Sequence, residues 1–356
     1  MRRKTVGLYT PYLDVMGGGE KHILSILKVF DELGYNVKIF WDADLSSQIK
    51  EKLQLSFTHL TFAKDIQKMS FFEKARALSP LEWLFYVTDG SYFFSPAKHT
   101  GIFCMVPNRK LYNMTPLNAL KTVNSVFISN SLYTKKWLSE WGVHTQVLYP
   151  YVSEELFIQP ATSKKPYVLS VGRFFRHLHS KRQDDLIRTF LHFHHNHPQF
   201  KLILAGGVKT EDLGYVEELK KTFPQSCIEW KTNVSFSELR HLYNESLLFW
   251  HFAGFGVDET KHPEQVEHLG MTPLEAMASR CITFCFNAGG PKEIIEHGRN
   301  GFVFNTKDEL LHEVNNLLNR PSLQALIQNN AQRFVTEKFS YLPFKKHVIK
   351  TFNLLP

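Results

Sequence analysis

Short apolar runs alternate with stretches whose apolar residues recur every three or four positions, along nearly the whole chain. Strand-length runs alternating with helical periodicity are the pattern of βα units built on a parallel sheet. Residues 4–9 form the first run and 37–41 the second. Between them a turn over 10–19 leads into Ile23, Leu24, Ile26, Leu27, Phe30 and Leu33, one helix face that ends at Gly34. Further strands are predicted at 84–88, 101–105, 125–128 and 145–148, with helices at 45–53, 71–77, 116–121 and 131–141.

Residues 150–166 hold three prolines and no periodicity, and read as a linker. A second series follows, with strands at 167–171, 201–205, 228–230, 247–251, 282–286 and 301–304. Its helices are predicted at 183–196, 215–222, 236–244, 273–279, 291–296, 307–318 and 323–337. Three of these starts pair a hydroxyl residue with a glutamate three positions on: Ser235 with Glu238, Thr272 with Glu275, and Thr306 with Glu309. That is the spacing of a capping box. The fold expected is α/β, with two Rossmann-like doubly wound domains, 1–150 and 151–339, facing a cleft. Ligands in such folds bind at the carboxyl ends of the strands.

Composition narrows the class. The 356 residues are 14 % aromatic and only 21 % charged, which excludes a disordered chain, a collagen and a disulfide scaffold. No run of eighteen apolar residues occurs, so no bilayer span is expected. The first fifteen residues do not read as a secretory leader. Cys104, Cys227, Cys281 and Cys285 form no CxxC pair, which fits free thiols in a reducing cytoplasm. The net charge of +8 is uneven. Residues 1–150 carry 18 basic and 12 acidic residues, residues 151–339 carry 21 and 22, and residues 340–356 add three lysines. A basic half is compatible with a nucleic acid, an anionic membrane or an acidic substrate.

Three segments carry candidate chemistry. Gly17, Gly18 and Gly19 stand between a strand and a helix, where a close backbone approach and free N–H groups favour a phosphate. The same glycines also make a tight turn, and the segment is not GxGxxG, which disfavours a dehydrogenase. Arg173 follows a strand and Lys181 precedes a helix, and a fork and a mobile point charge together can clamp a diphosphate. The alternative is a solvated basic loop shared with Arg176 and Arg182. Glu267 and Glu275 flank the helix start at residues 269–272. Carboxylates accept hydrogen bonds from sugar hydroxyls, and helix-start N–H groups donate to phosphate oxygens. For Glu275, the capping box is a sufficient structural reason.

Taken in order, GGGEKH, VGRFFRHLHSK, EHLGMTPLEAMASR and NAGGPKEIIEHGRNGFVF resemble the retaining nucleotide-sugar glycosyltransferases of family 4, which have the GT-B fold. The resemblance covers essentially the whole chain and is stronger in its second half. It implies that Gly18 and Gly19 approach the donor diphosphate, and that Arg173 and Lys181 offset its charge as it leaves. It also implies that Glu267 contacts donor-sugar hydroxyls and Glu275 the ribose. The backbone of Leu269, Gly270, Met271 and Thr272 then binds sugar and phosphate, and the base lies near 231–235, with Val234 in contact. No cofactor and no catalytic metal are implied; the donor is itself the substrate. The expected reaction moves a hexosyl group, mannosyl by preference, to a saccharide or lipid-linked saccharide with retained configuration.

The sequence departs from the family in places. Many relatives carry a histidine after the strand near 101–105, where this chain has Met105-Val106-Pro107. Asp89 is the substitute candidate on the acceptor side, against its plain reading as a turn residue. The stretch 254–266 is long and reads as a lid, an acceptor-specificity element or a surface insertion. The 17 histidines are read mostly as solvated. The tail at 340–356 is expected to return to the first domain, raising that acceptor-binding half to +9. A basic, aromatic-rich half suits peripheral docking on the cytoplasmic face of an anionic membrane. The competing readings are a non-transferase GT-B enzyme, such as a nucleotide-sugar epimerase, and a nucleic-acid-binding protein. The latter lacks any recognisable nucleic-acid motif.

Overall fold

In the first series the strands are β1 (Thr5–Tyr9), β2 (Asn36–Phe40), β3 (Leu60–Ala63), β4 (Trp83–Val87), β5 (His99–Cys104), β6 (Ser125–Ser129) and β7 (Thr145–Val147). Between them lie α1 (Gly18–Glu32), α2 (Ser46–Leu53), α3 (Phe71–Leu78), α4 (Pro116–Thr122) and α5 (Leu132–Glu140). The structure is a computed structural model that describes residues 3–157, 163–176 and 181–354. Residues 158–162 of the linker and 177–180 of the basic loop lie outside the described residues, as do Leu355 and Pro356 of the tail.

All seven strands pair in parallel, in the order β3-β2-β1-β4-β5-β6-β7. β3 was not predicted. Its four residues, LTFA, form an edge strand with no fully buried side chain, so neither an apolar run nor an alternation marks it. β4 is buried at every position, as a central parallel strand should be. Its alternation separates two layers. Leu84 packs in one cluster with Leu78 of α3 and Leu138 of α5. Phe85 meets Phe30 of α1, at 5.6 Å between ring centroids.

The second series has β8 (Lys165–Val171), β9 (Lys201–Gly206), β10 (Ile228–Thr232), β11 (Ser246–His251), β12 (Ile282–Phe286) and β13 (Phe302–Phe304). Its helices are α6 (Gln183–Asn196), α7 (Leu213–Thr222), α8 (Phe236–Glu245), α9 (Met271–Ala278), α10 (Pro291–Ile294), α11 (Lys307–Leu318), α12 (Pro321–Phe339) and then α13 (Tyr341–Thr351). Six parallel strands run in the order β10-β9-β8-β11-β12-β13. The core beneath them is aromatic, with Phe190, Phe193, Trp250, Phe284 and Phe302 in one cluster.

The chain divides into two compact units, one of residues 1–150 with 342–356, the other of 151–341. The tail belongs to the first unit through Phe352, which lies 5.0 Å from both Trp83 and Phe85, and through the Lys345–Glu32 ion pair at 2.7 Å. No helix among the described residues is long and apolar enough to cross a membrane. All four cysteines are free, and Cys104, Cys281 and Cys285 are buried.

Of the predicted capping boxes, Ser235 with Glu238 forms in full. Thr306 accepts from the Glu309 amide, while the Glu309 carboxylate takes the amide of Asn305 instead of that of Thr306. The solvated reading of the histidines fails for His22 and His251, which are 3 % and 2 % exposed.

Candidate functional site

Strand order reverses between β8 and β11, so a crevice opens beyond their carboxyl ends. Three side chains meet there. The Lys181 ammonium lies 2.6 Å from Oε2 of Glu267, and Nε2 of His251, the last residue of β11, lies 2.9 Å from the same oxygen. Glu267 and Lys181 retain about a fifth of their side-chain exposure, while His251 is buried. Burial alone would raise the Glu267 carboxyl, but the Lys181 charge and the His251 ring outweigh it and hold Glu267 well below the ordinary carboxylate range. Burial lowers His251, against the opposing pull of Glu267. The buried Cys285 thiol is pushed well up, by burial first and then by the Glu267 charge, so it stays an inert thiol.

Glycines make this meeting possible. A Cβ on Gly172 would stand 2.7 Å from Cγ of Lys181, so the lysine stem crosses the strand end where only glycine fits. Gly290 donates its N–H to the Glu267 carbonyl at 2.8 Å, and a Cβ there would meet Cα of Leu269 at 2.2 Å. The Gly-Gly-Pro turn thus braces the loop that carries Glu267. The stretch 254–266 is tied to the same turn. Oε2 of Glu259 accepts from the Gly289 N–H at 2.7 Å, and Lys292 pairs with the same carboxylate.

The predicted capping box at Thr272 does not form. α9 begins at Met271, and its N-cap is Gly270, with φ of 106°. A left-handed cap needs glycine, and it starts the helix ahead of Thr272, which becomes a first-turn residue. The Glu275 carboxylate accepts instead from the Tyr243 hydroxyl at 2.9 Å. The amides of Met271 and Thr272 stand in the first turn, where no intrahelical carbonyl reaches them. Leu269 and Gly270 are buried just before them.

The remaining candidates of this unit sit around the same sheet edge. Arg173 is exposed, stacks at 5.2 Å on Phe175, and is not a partner of Glu267. Gln183 holds its carbonyl at 3.0 Å. Val234 lies in a turn clamped by Asn233, whose Oδ1 accepts from the Val208 amide at 2.9 Å and whose φ is 53°. Arg182, at the start of α6, also has a positive φ, of 51°.

In the first unit, β1 and β4 mark the equivalent switch point. Gly17 is the N-cap of α1, and its N–H donates to Oε2 of Glu20 at 2.9 Å. A Cβ on Gly19 would stand 2.4 Å from Sδ of Met105, whereas one on Gly18 would meet nothing within 4 Å. Gly19 therefore has a packing reason, and Gly18 has none. Asp89 follows β4 and accepts from the Ser91 amide at 3.0 Å, the turn geometry of its plain reading. Its charge also reaches Tyr9 and Tyr12, raising both phenols after the effect of burial.

Sequence reasoning missed His251 and Tyr243. A histidine that closes a predicted strand, at the end where ligands bind, was the available clue to the first. Nothing local marks Tyr243, which reaches Glu275 from 32 residues away.

Comparison with known proteins gives one consistent answer. The sequence profile of Glycosyl transferases group 1 matches residues 152–334. The chain is 26 % identical over 260 residues to the GDP-Man:Man(3)GlcNAc(2)-PP-Dol alpha-1,2-mannosyltransferase of Dictyostelium discoideum, covering 68 % of this chain and 48 % of that protein. It is 31 % identical over 155 residues to the human alpha-1,3/1,6-mannosyltransferase ALG2, covering 42 % and 35 %. The chain thus spans about half the length, or less, of these curated relatives. In three dimensions it is similar to Anabaena Alr3699/HepE in complex with UDP, with a TM-score of 0.75, 16 % identity and coverage of 99 % and 100 %. The architecture is the GT-B fold.

Proposed function

The chain belongs to the group 1 glycosyl transferases, and from that premise we propose that it moves a mannosyl group from GDP-mannose to a saccharide carried on a lipid, with retention at the anomeric carbon. The observation that supports this most is the triad of Lys181, Glu267 and His251 beside the open first turn of α9. An ammonium, an acceptor-only carboxylate and free amides are the groups a sugar diphosphate requires.

In this reading the anomeric carbon gains oxocarbenium character as the nucleoside diphosphate departs. The chief catalytic effect is stabilisation of the charge developing on that diphosphate. Lys181 and Arg173 supply it, with the first-turn amides of α9 and the Gly18 and Gly19 amides of α1. Glu267, kept ionised by Lys181 and His251, accepts from donor-sugar hydroxyls, and Glu275 from the ribose. Val234 lies against the base, and Asp89 serves the acceptor side. These charges do the work without a resident metal. The GDP-Man and PP-Dol parts of the Dictyostelium relative's name support the donor and a lipid-linked acceptor. The UDP of the Anabaena structure makes a uridine donor the alternative to measure against. A cytoplasmic chain, peripheral on an anionic leaflet, fits that acceptor.

The test is release of nucleoside diphosphate from GDP-mannose, UDP-glucose and UDP-N-acetylglucosamine, with and without a lipid-linked oligosaccharide. GDP release that requires the acceptor, with an α product from the α donor, is the expected result. An epimeric nucleotide sugar formed without acceptor, or turnover of uridine donors alone, overturns the assignment.

A further inference from the structure

The stretch 254–266 leaves β11 and returns to Glu267, and the reaction described above makes no use of it. It is built as a fixed strap. Gly254 turns with φ of 83°, and a Cβ there would stand 2.9 Å from Cγ1 of Val266, so the two ends of the stretch lie against each other. Phe255 packs on Phe286, at 5.3 Å between ring centroids, and Pro263 and Val266 are buried. Asp258 closes the apex. Its carbonyl accepts from the His262 amide at 2.9 Å, and its Oδ1 accepts from the Thr260 amide at 3.0 Å. Glu259 stands at that apex.

Glu259 completes the turn that follows β12. The amides of Asn287, Ala288 and Gly290 each donate to a backbone carbonyl, those of Phe304, Phe286 and Glu267 in that order. The Gly289 amide donates instead to Oε2 of Glu259, 30 residues away in sequence, while Lys292 pairs with Oε1. Gly289 is buried, and a buried amide left without an acceptor is costly. The shape of the turn therefore depends on this one carboxylate.

The turn lies backbone to backbone against the residues that open the sugar-binding loop. A Cβ on Gly289 would stand 2.0 Å from the Glu267 carbonyl oxygen. One on Gly290 would meet the His268 carbonyl oxygen at 2.5 Å and Cα of Leu269 at 2.2 Å. No side chain lies between the two segments to absorb a shift, so a displacement of the turn is passed to Glu267 itself. Its carboxylate is gripped by Lys181 and His251 through Oε2 alone, and its backbone is gripped by this turn.

We propose that Glu259 is a positioning residue for the sugar-binding carboxylate: through the Gly289–Gly290 turn it fixes where Glu267 meets the donor sugar, without touching the donor. The proposal rests on the assignment of Glu267 to donor-sugar hydroxyls made above, and gives the strap its part in that site. Losing Glu259 loosens the hold on the sugar. The hold on the nucleoside diphosphate, which falls to Lys181, Arg173 and the first turn of α9, stays.

Two measurements on the full chain test this. In the donor-free protein, hydrogen exchange of the amides at 286–295 should quicken about tenfold in Glu259→Ala. With GDP-mannose, that variant should lose about ten- to a hundredfold in kcat/KM, the scale of a misplacement near 1 Å, while calorimetric affinity for GDP stays within about threefold. E259Q/K292M returns a neutral acceptor to the Gly289 amide without leaving an ammonium unpaired, and should recover most of both effects. In an E267A chain, Glu259→Ala should change GDP-mannose affinity by less than about twofold, because its effect runs through that carboxylate. Glu259→Asp, one methylene too short to reach the turn, should behave as the alanine variant does and replaces it if alanine fails to fold. Unchanged exchange, wild-type kcat/KM in the folded variant, equal losses for GDP and GDP-mannose, or an undiminished effect in the E267A chain each overturns the proposal. If the wild type turns over uridine donors alone, the mannosyl assignment falls, and the same comparison with UDP-glucose and UDP decides the role of Glu259.

Discussion

The ammonium of Lys181, at the foot of α6, is held 2.6 Å from the carboxylate of Glu267, 86 residues further along the chain. Neighbouring strands β8 and β11 bring them together. The bond holds the Glu267 carboxylate ionised in a part-buried place before any ligand arrives. In the proposed reaction, a departing diphosphate would draw on an ammonium already in position. Glu267 remains ionised, and so remains an acceptor for hydroxyls.

Lys181→Ala should therefore lower transferase turnover by about 10²–10³-fold, the usual cost of removing one charge-stabilising group. Loss of one partner of a buried ion pair also costs about 3 kcal/mol of stability. A thermal melt should find the variant folded but less stable, and Glu267→Gln in the same chain should restore part of that loss without restoring turnover. Near wild-type turnover in Lys181→Ala would end the assignment.

Much of this was legible in the sequence. Parallel strands at the center of a sheet are continuous apolar runs, so β4, β5, β9 and β11 stood out, and the helix faces followed from their periodicity. β3 did not, because an edge strand with half-exposed side chains writes no pattern. Thr272 misled for a related reason. Its spacing from Glu275 fits a capping box, but the left-handed conformation of Gly270 started the helix before it. The Lys181–Glu267 pair was present as two separate candidates, and only the strand order shows that they touch. His251 and Tyr243 act over tertiary distances, and local sequence holds no record of that.

His22, in the GGGEKH segment, supplies a pH prediction. Burial pushes its pKa from 6.5 down to about 3, against a backbone hydrogen bond with Leu148. The folded chain holds it neutral, while the unfolded chain protonates it near 6.5. Stability from this group is complete above that value and is lost as pH falls toward about 3. At about 1.4 kcal/mol per pH unit, His22 alone should remove about 2 kcal/mol between pH 6.5 and 5. Urea midpoints across that range should show the loss, and His22→Leu should flatten it. An unchanged slope in that variant would show that the acid sensitivity arises elsewhere, with the buried His251 the next group to vary.

Tyr243 tests the role of Glu275 without touching its charge. Its hydroxyl donates to Oε2 of Glu275 at 2.9 Å and also approaches the Thr272 carbonyl at 3.4 Å. Tyr243→Phe keeps the ring in its buried place and removes one hydrogen bond to the carboxylate. One neutral hydrogen bond to a charged group is worth about 1.5 kcal/mol, roughly tenfold in an equilibrium constant. The donor KM should rise by about that factor with kcat little changed. A fall in kcat at constant KM would move Glu275 from nucleotide binding to the chemical step.

Gly18 separates a donor contact from a tight turn more cleanly than Gly19, because a methyl group on Gly18 meets nothing, while one on Gly19 meets Met105. A Cβ on Gly19 would stand 2.4 Å from Sδ of Met105, so Gly19→Ala requires that side chain to move and mixes a packing change with any effect on a ligand. A Cβ on Gly18 meets nothing within 4 Å, and the residue opens α1. Alanine is favoured over glycine in a helix by up to about 1 kcal/mol, so Gly18→Ala should leave the fold as stable as before or slightly more so. If the diphosphate approaches the amides there, the new methyl group stands in its way. The donor KM should then rise at least tenfold in a chain whose melting curve has not fallen. Gly18→Ala with wild-type KM would leave the loop as a β–α turn and place the whole diphosphate on Lys181, Arg173 and the start of α9.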